Sequence, residues 1–391
     1  MLVPKLRFKR EDGTEYPGWE EKTLQDVSSY ITTTGIGEKS VYVGTENMRK
    51  DCLGVVLEDN NDTTVKGIQY ALNDVLVSNI RPYLKKAWKA DRSGICSTDV
   101  LCIRGTSGIL SEYLYTLLSS DSFFEYVMQG VKGTKMPRGD KKHIMDMPVS
   151  IPCLEEQQKI ADFLSTVDEV IAQSEAEVQN LEQQKKAAMQ KIFSQEVRFK
   201  REDGTEYPGW DSDIVGNRIV VFDKKVSTDC TLPVLTSSKT NGIEYQSDHF
   251  GRVQNHDIDG YNLLPRGYAT YRNRSDNRDF TFNINDICDE GIISKFYPVF
   301  TSNNCNLMFL IYLLNNSPTI VKEIGYTAIG TGQKVLSISD FKGIRILVPC
   351  LEEQQKIADF FSAYDEAINY AKQELDKWKE LKKGLLQQMF V

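Results

Sequence analysis

Two stretches of this chain occur twice, and this duplication constrains the fold more than any other feature. The stretch "RFKREDGTEYPGW" occupies residues 7–19 and again residues 198–210. The stretch "PCLEEQQKIADF" occupies residues 152–163 and again residues 349–360. Because repeated segments in a fixed order indicate a repeated architecture, we expect two frames of the same kind. We call these four stretches the repeated frame.

The segments between the repeated stretches are variable. Residues 20–151 and 211–348 resemble each other only near their ends. A chain of 391 residues is too long for one ordinary core and suits two domains with connecting structure. We therefore expect one domain in residues 1–151 and a second, different domain in residues 198–348.

A long helix is predicted to follow each copy of the second stretch. Acidic pairs stand in the first turn, where the helix dipole favours negative charge, and glycine and proline are nearly absent afterwards. The predicted spacer helices occupy residues 152–197 and 349–391. Apolar residues recur at alternating spacings of three and four, as in a coiled coil. The predicted interface is Ile160, Leu164, Val167, Ile171, Val178, Leu181 and Ile192 in the first helix, and Ile357, Phe361, Tyr364, Ile368, Leu375, Trp378, Leu385 and Met389 in the second.

The two apolar seams match in length and register, which favours antiparallel pairing of the helices with each other. The alternative is that each helix packs only against its own domain. Lys185 and Lys382 interrupt the seams, and we expect their stems to lie along the seam with the charges released at its edge. The predicted fold class is α+β, with two globular domains separated by two long helices that form an antiparallel coiled coil with a pseudo-two-fold internal repeat.

Short runs in the variable regions predict a mixed α+β content. Strands are expected at residues 75–80, 100–104, 267–272 and 297–302. Apolar stripes predict helices at residues 111–129 and 307–324.

Basic residues form three clusters although the net charge is -8. Arginine and asparagine read guanine and adenine edges in the major groove, whereas lysine mostly contacts phosphate. Any one cluster is more often a solvated loop, but three clusters over both variable regions favour DNA. The candidate DNA-binding residues are Arg81, Lys85, Lys86, Lys89, Arg92, Lys132, Lys135, Arg138, Lys141, Lys142, Arg266, Arg272, Asn273, Arg274, Arg278 and Lys334.

The sequence offers no metal site and no catalytic residues. Eight cysteines lack a CxxC pair and only three histidines could join them, so reduced thiols are expected. Nucleotide-binding and zinc-protease motifs are absent. No stretch approaches the ~20 apolar residues that cross a bilayer, and the first residues lack the apolar core of a signal peptide, so no membrane partner and a cytoplasmic location are expected.

The repeated "EEQQKIADF", the stretches "LNDVLVSNIRPYLKKAWKA" and "GTGQKVLSISDFKGIRILVP", and a Gly-Thr pair before each long helix (Gly133-Thr134 and Gly330-Thr331) carry a resemblance. The chain resembles, over nearly its whole length, the DNA specificity subunit of type I restriction-modification systems. In the first half "GTKMPRGDKK" replaces "GTGQKVLSIS", so the roles of Lys135 and Arg138 follow less directly than that of Lys334.

The resemblance implies a subunit that recognises DNA without catalysis. Each variable domain would be a target recognition domain for one half of a split, asymmetric double-stranded DNA sequence. The frame would dock two methyltransferase subunits, which bind S-adenosylmethionine, and motor and nuclease subunits would complete the complex. This chain itself would bind no cofactor.

Two other classes remain open from the residues alone. One is a self-contained DNA-modifying enzyme with a degenerate motif in a variable domain. The other is a coiled-coil scaffold that binds only proteins. Transfer from labelled S-adenosylmethionine by the purified chain would indicate the first. For the second, the DNA affinity of the assembled complex would lack the steep fall with salt that phosphate contacts impose.

Overall fold

The structure is a computed structural model that separates into two compact units. The described residues are 4–58, 63–133, 135–253, 257–330 and 332–390. Unit 1 contains Met1–Ala176 and Lys372–Val391, and unit 2 contains Glu177–Ala371. Each unit therefore combines one variable region with parts of both long helices. No described helix is both long and apolar enough to cross a membrane.

Unit 1 contains short strands and helices that precede a long helix. Its strands are β1 (Glu20–Thr23), β2 (Ser28–Ile31), β3 (Thr34–Glu38), β4 (Tyr42–Val43), β5 (Thr64–Tyr70), β6 (Val75–Ser78), β7 (Ala87–Lys89), β8 (Gly94–Cys96), β9 (Val100–Gly105) and β10 (Pro148–Ile151). Its helices are α1 (Leu24–Val27), α2 (Ser111–Ser119), α3 (Asp121–Gln129) and α4 (Lys141–Met145), followed by α5 (Leu154–Phe193), which continues into unit 2.

Unit 2 has the same kind of organisation. Its strands are β11 (Asp211–Ile214), β12 (Ile219–Val221), β13 (Val234–Ser238), β14 (Gly242–Tyr245), β15 (Asn262–Pro265), β16 (Ala269–Tyr271), β17 (Arg274–Ser275), β18 (Phe282–Ile284), β19 (Glu290–Ile293), β20 (Val299–Ser302), β21 (Lys334–Val335) and β22 (Arg345–Val348). Its helices are α6 (Val215–Arg218), α7 (Gln246–Phe250), α8 (Leu307–Asn316), α9 (Pro318–Thr327) and α10 (Ile338–Lys342), followed by α11 (Leu351–Met389), which ends in unit 1.

Two four-stranded sheets form the scaffold of each variable region. Unit 1 has the orders β2-β9-β6-β7 and β3-β5-β8-β4, and unit 2 has β12-β20-β16-β18 and β14-β13-β19-β15. All four residues of β6 are buried, as expected for an apolar run in a central strand. A two-stranded ribbon closes each region, β1 with β10 and β11 with β22. The two ends of each variable region therefore lie side by side.

Both long helices contribute to the apolar core of each unit. In unit 1, Ile160 and Leu164 of α5 share a core with Met389 and Phe390 of α11. In unit 2, Ile192 of α5 shares a core with Ile357 and Phe361 of α11. The start of one helix thus packs beside the end of the other, which makes the pairing antiparallel. The α+β class is confirmed, and the helices pack on each other as well as on their domains.

The predicted seam is largely buried. Ten of its residues are buried, namely Ile160, Leu164, Val167, Ile171, Val178, Ile192, Ile357, Phe361, Ile368 and Met389. The remaining five are half-buried, namely Leu181, Tyr364, Leu375, Trp378 and Leu385. The seam lysines form ion pairs with aspartates that are partly exposed, Lys382 with Asp168 in unit 1 and Lys185 with Asp365 in unit 2.

Each single helix predicted in the variable regions is two helices in the structure. Residues 111–129 form α2 and α3, separated at Ser120, whose hydroxyl accepts a hydrogen bond from the Phe123 amide and so begins a new helix. Residues 307–324 are likewise divided at Ser317, where Pro318 begins α9. The strands expected at residues 75–80 and 297–302 are confirmed as β6 and β20. The strands expected at 100–104 and 267–272 are confirmed as β9 and β16.

The central buried ion pair of the repeated frame recurs in both units. In unit 1, the fully buried Glu156 accepts hydrogen bonds from Arg7 (2.7 Å) and Trp19 (3.0 Å). In unit 2, Glu353 accepts from Arg198 at 2.7 Å. A buried carboxylate requires such partners, so these positions tolerate little change. The matching tryptophans differ, since Trp19 Nε1 donates to Glu156 whereas Trp210 Nε1 is buried without a partner among the described residues.

The glutamines that follow these carboxylates fasten the variable region to the helix. Gln157 accepts a hydrogen bond from the Leu110 amide at 2.9 Å, and Gln354 accepts one from the Asn306 amide at 2.8 Å. Leu110 and Asn306 are the N-cap residues of α2 and α8. The frame therefore binds backbone groups of the variable region, which are present whatever its side chains.

Candidate nucleic-acid interface

A short hairpin in each variable region pairs with the segment that follows a central strand. In unit 1, the backbone of Lys132 forms an antiparallel bridge with that of Arg138. The backbone of Arg138 forms a second bridge with Ile80, beyond the end of β6. We call residues 79–81 and 132–138 the first patch. The backbone ladder brings Arg81, the first residue of one basic cluster, next to the cluster at residues 132–142, and the Arg81 amide donates to the Pro137 carbonyl oxygen at 2.8 Å.

The second patch has the same construction in unit 2. Ile329 pairs with Val335, and Val335 pairs with Arg274 in the ribbon of β17 and β21. The Leu336 amide donates to the Asn273 carbonyl oxygen at 3.0 Å, as the Gly139 amide donates to that of Asn79 at 3.3 Å in unit 1. We call residues 273–275 and 329–335 the second patch.

Glycine permits the turn of each hairpin. Gly133 has φ +92°, in the left-handed region that favours glycine. At Gly330 a Cβ atom would lie 2.2 Å from the carbonyl oxygen of Gln333, so a side chain would force the hairpin apart. These glycines belong to the predicted Gly-Thr pairs, whose threonines, Thr134 and Thr331, lie outside the described residues.

Carboxylates orient the cations of the first patch. Arg138 pairs with Asp99 at 3.0 Å and Lys132 with Asp140 at 2.5 Å, and both basic side chains remain exposed. The hydrogen bond from Lys132 lowers the pKa of Asp140 to about 2. Asp140 is therefore ionised at neutral pH, and it also caps α4 through the amides of Lys142 and His143. Arg81, Lys135, Lys141 and Lys142 are exposed on the same segments.

An aromatic ring orients the central cation of the second patch. The Arg274 guanidinium lies 4.2 Å from the centre of the Phe296 ring, a cation–π arrangement that holds it without neutralising it. Lys334 donates to the Gly330 carbonyl oxygen within the hairpin. Arg272 is exposed beside Asn273. Arg278 has φ +64° and lies against Gly325 of α9.

The other predicted residues make contacts elsewhere in their units. Lys85 pairs with Asp121, Lys89 with Glu112 and Arg92 with Asp91. Lys86 donates to the Thr45 carbonyl oxygen at 2.7 Å, and its burial lowers the pKa of its ammonium group. Arg266 pairs with Asp289 at 2.9 Å. Their assignment to DNA binding stays a prediction.

The predicted reduced thiols are present as free cysteines, for which no disulfide is formed. Burial raises the pKa of the Cys52 thiol to about 11 and that of Cys96 to about 12, which keeps both protonated. No cluster of three or more potential metal ligands was found among the described residues. His143 stacks on Tyr126 with ring centres 4.3 Å apart.

Sequence reasoning missed Phe296, Ile329 and Val335. Val335 joins the second patch through backbone pairing with the remote Arg274, Ile329 pairs with Val335 within the hairpin, and Phe296 meets Arg274 through its ring. A usable signal was present, because the Gly-Thr pair recurs before both long helices. That recurrence marks a hairpin common to both halves, although it does not tell which strand the hairpin joins.

The protein consists of two unlike domains on one repeated frame, and each domain carries an exposed hairpin patch with basic residues. A profile of the family described as "Type I restriction modification DNA specificity domain" matches residues 16–183 and 213–379. The chain therefore belongs to the type I restriction-modification DNA specificity family, as the sequence resemblance predicted, and it is a specificity subunit that works with other subunits of such a system.

Relatives agree with this membership. The chain is 26% identical to the type I restriction enzyme MjaVIII specificity subunit of Methanocaldococcus jannaschii, over 97% of this chain and 94% of that protein. It is 27% identical to the EcoDI specificity subunit of Escherichia coli over 33% of this chain and 30% of that protein. A crystal structure of the S subunit from M. genitalium shares the fold, with a TM-score of 0.60, 13% identity, and coverage of 100% of this chain and 99% of that one.

Proposed function

We propose that this chain selects an asymmetric, bipartite double-stranded DNA target, with one half-site read by each variable domain. The observation that carries this proposal is the contrast between the two patches. Their backbone ladders correspond position by position, yet one presents Arg138 and Lys132 where the other presents Val335 and Ile329. Surfaces of the same geometry with different side chains suit different base sequences.

The repeated frame is the proposed docking surface for two copies of one methyltransferase subunit. Its exposed residues recur unchanged, as in Glu11, Asp12 and Leu154 of unit 1 and Glu202, Asp203 and Leu351 of unit 2. The turns also recur, since the amides of Thr14 and Thr205 donate to the carboxylates of Asp12 and Asp203, two residues earlier, at 2.9 Å in both units. A surface presented twice with one structure supports two copies of the same partner.

The partners would supply the chemistry. The methyltransferase subunits would bind S-adenosylmethionine and modify adenine, motor and nuclease subunits would add restriction, and the assembly would work in the cytoplasm. The net charge of -8 is unfavourable for DNA by itself, so partner subunits would provide much of the phosphate contact.

Methylome sequencing of a host with and without this gene tests the proposal, with the partner genes present in both strains. We expect one bipartite motif with unlike halves to lose adenine methylation when this gene is deleted. The purified chain with labelled S-adenosylmethionine and DNA should transfer nothing until the methyltransferase is added. Transfer by the chain alone would support the self-contained enzyme, and an unchanged methylome would reject a role in target selection.

A further inference from the structure

A row of three side chains crosses each patch at corresponding positions. Residues directly opposite in an antiparallel ladder place their side chains on the same face. In unit 2 the row is Arg274, Val335 and Ile329. In unit 1 the paired residues are Ile80, Arg138 and Lys132.

The two rows distribute charge and apolar surface in opposite ways. In unit 1 the apolar member, Ile80, is buried and two exposed cations follow it. In unit 2 the position of Ile80 is taken by the cation Arg274, and the other two positions hold the exposed β-branched residues Val335 and Ile329. Ile329 is 73% exposed and Val335 is 37% exposed. Neighbouring exposed apolar side chains on an ordered ladder indicate a surface that meets a partner.

The charges around this row favour DNA as the partner. Arg274 lies in the row itself, and Arg272, Lys295 and Lys334 stand on the three adjoining segments. Two carboxylates follow on the same segment, Asp276 and Asp279, and Asp279 is paired with Lys239. The immediate surroundings of the row are therefore cationic, as expected for a surface that meets phosphate-flanked bases.

The chemistry of the row matches one combination of bases in the major groove. Guanine presents two acceptors that suit a guanidinium, and thymine presents a methyl group that suits an aliphatic side chain. Phe296 holds the Arg274 guanidinium, and the Arg274 backbone pairs with that of Val335 in the ladder. We propose that Val335 and Ile329 contact thymine methyl groups next to a guanine bound by Arg274. This inference rests on the proposed function and specifies the half-site that the second domain reads.

The test uses the assembled complex and the target found by methylome sequencing. The half-site of the second domain is identified first, as the half whose recognition relaxes in R274A. Each thymine of both half-sites is then replaced by deoxyuridine, which lacks the methyl group and keeps the base pair. We expect at least one substitution in the second half-site to weaken binding about fourfold, as for loss of one buried methyl group.

The weakening caused by deoxyuridine should disappear when the aliphatic side chain that contacts the methyl group is removed. In V335A or I329A the wild-type target should bind about fourfold more weakly, and deoxyuridine at the contacted position should cause no further loss. The matched control is V220A, an exposed valine of unit 2 on β12, which should keep the full effect of deoxyuridine. Substitutions in the first half-site should keep their wild-type effect in V335A and I329A.

Two outcomes overturn the inference. If no deoxyuridine in the second half-site weakens binding, the methyl contacts do not exist. If V335A and I329A reduce capture of the methyltransferase while DNA discrimination is intact, the row binds protein instead. In both cases a bipartite methylated motif would still support the proposed function, whereas the absence of any motif would remove that function as well.

Discussion

Arg274 shows how a single residue becomes suited to recognition through its backbone neighbours. Its position opposite Val335 sets its direction, and the Phe296 ring holds its guanidinium. A guanidinium kept in place by a ring loses less conformational freedom when it binds. We therefore expect it to discriminate between bases rather than only attract phosphate.

Replacement of Arg274 by alanine tests this role. Loss of a base contact is expected to cost about 1–3 kcal/mol of discrimination at one position. R274A should relax one half-site in the methylome and leave the other unchanged. Arg345→Ala is the matched control, because Arg345 is an exposed arginine of unit 2 on β22, outside the second patch, and it should leave both half-sites intact. Uniform weakening over all sequences in R274A would assign Arg274 to phosphate.

Glu156 is the buried carboxylate that joins the first repeated stretch to α5. Glu156→Gln leaves Arg7 and Trp19 without their buried anion, so we expect the free energy of unfolding to fall by about 3 kcal/mol. Glu155→Gln, at an exposed neighbour with 73% side-chain exposure, should change it by less than about 0.5 kcal/mol. Urea denaturation of both variants measures this, and equal midpoints would contradict the assignment.

At the scale of elements, local patterns predicted the long helices and the central strands well. The helix starts follow from acidic first turns, and the seam follows from apolar spacing, because both signals are local in sequence. The hairpin patches could not be predicted in the same way. The pairing of Arg274 with Val335 joins residues that only the tertiary fold brings together. The break at Ser120 was also missed, because apolar spacing continues across a capping serine.

The ion pairs between the long helices give a prediction at this scale. Asp168→Lys places two ammonium groups together at Lys382, and we expect it to lower stability by about 1 kcal/mol. The double variant D168K/K382D restores opposite charges and should recover most of this loss. A double-mutant cycle by urea denaturation gives the coupling energy. A coupling near zero would show that the pair contributes little beyond the apolar seam.

For the whole molecule, the sequence predicted two domains, their class and their family, because duplication is visible without a structure. The base preference of each domain was not predictable, since it depends on which side chains the ladders place on one face. The predicted domain boundaries at residues 151, 197 and 348 remain predictions. The compact units instead combine each variable region with parts of both helices.

The length of the long helices provides the prediction for the whole chain. Insertion of seven residues, one heptad, into both α5 and α11 keeps the apolar residues of each helix on the same face. We expect the gap between half-sites to lengthen while both half-sites keep their bases, and methylome sequencing of the variant shows this. An insertion of seven residues in only one helix is the control and should abolish methylation. Altered bases in the double insertion would contradict a spacer role.

The ribbons β1–β10 and β11–β22 bring the ends of each variable region together, next to frame residues that are identical in both halves. A foreign segment that begins and ends with such a strand pair would meet the same helix contacts at either place. Genetic exchange within the duplicated stretches could therefore replace one half of the target in a single event. The lineage would acquire a new methylation pattern while the repeated frame, the proposed docking surface, stayed the same.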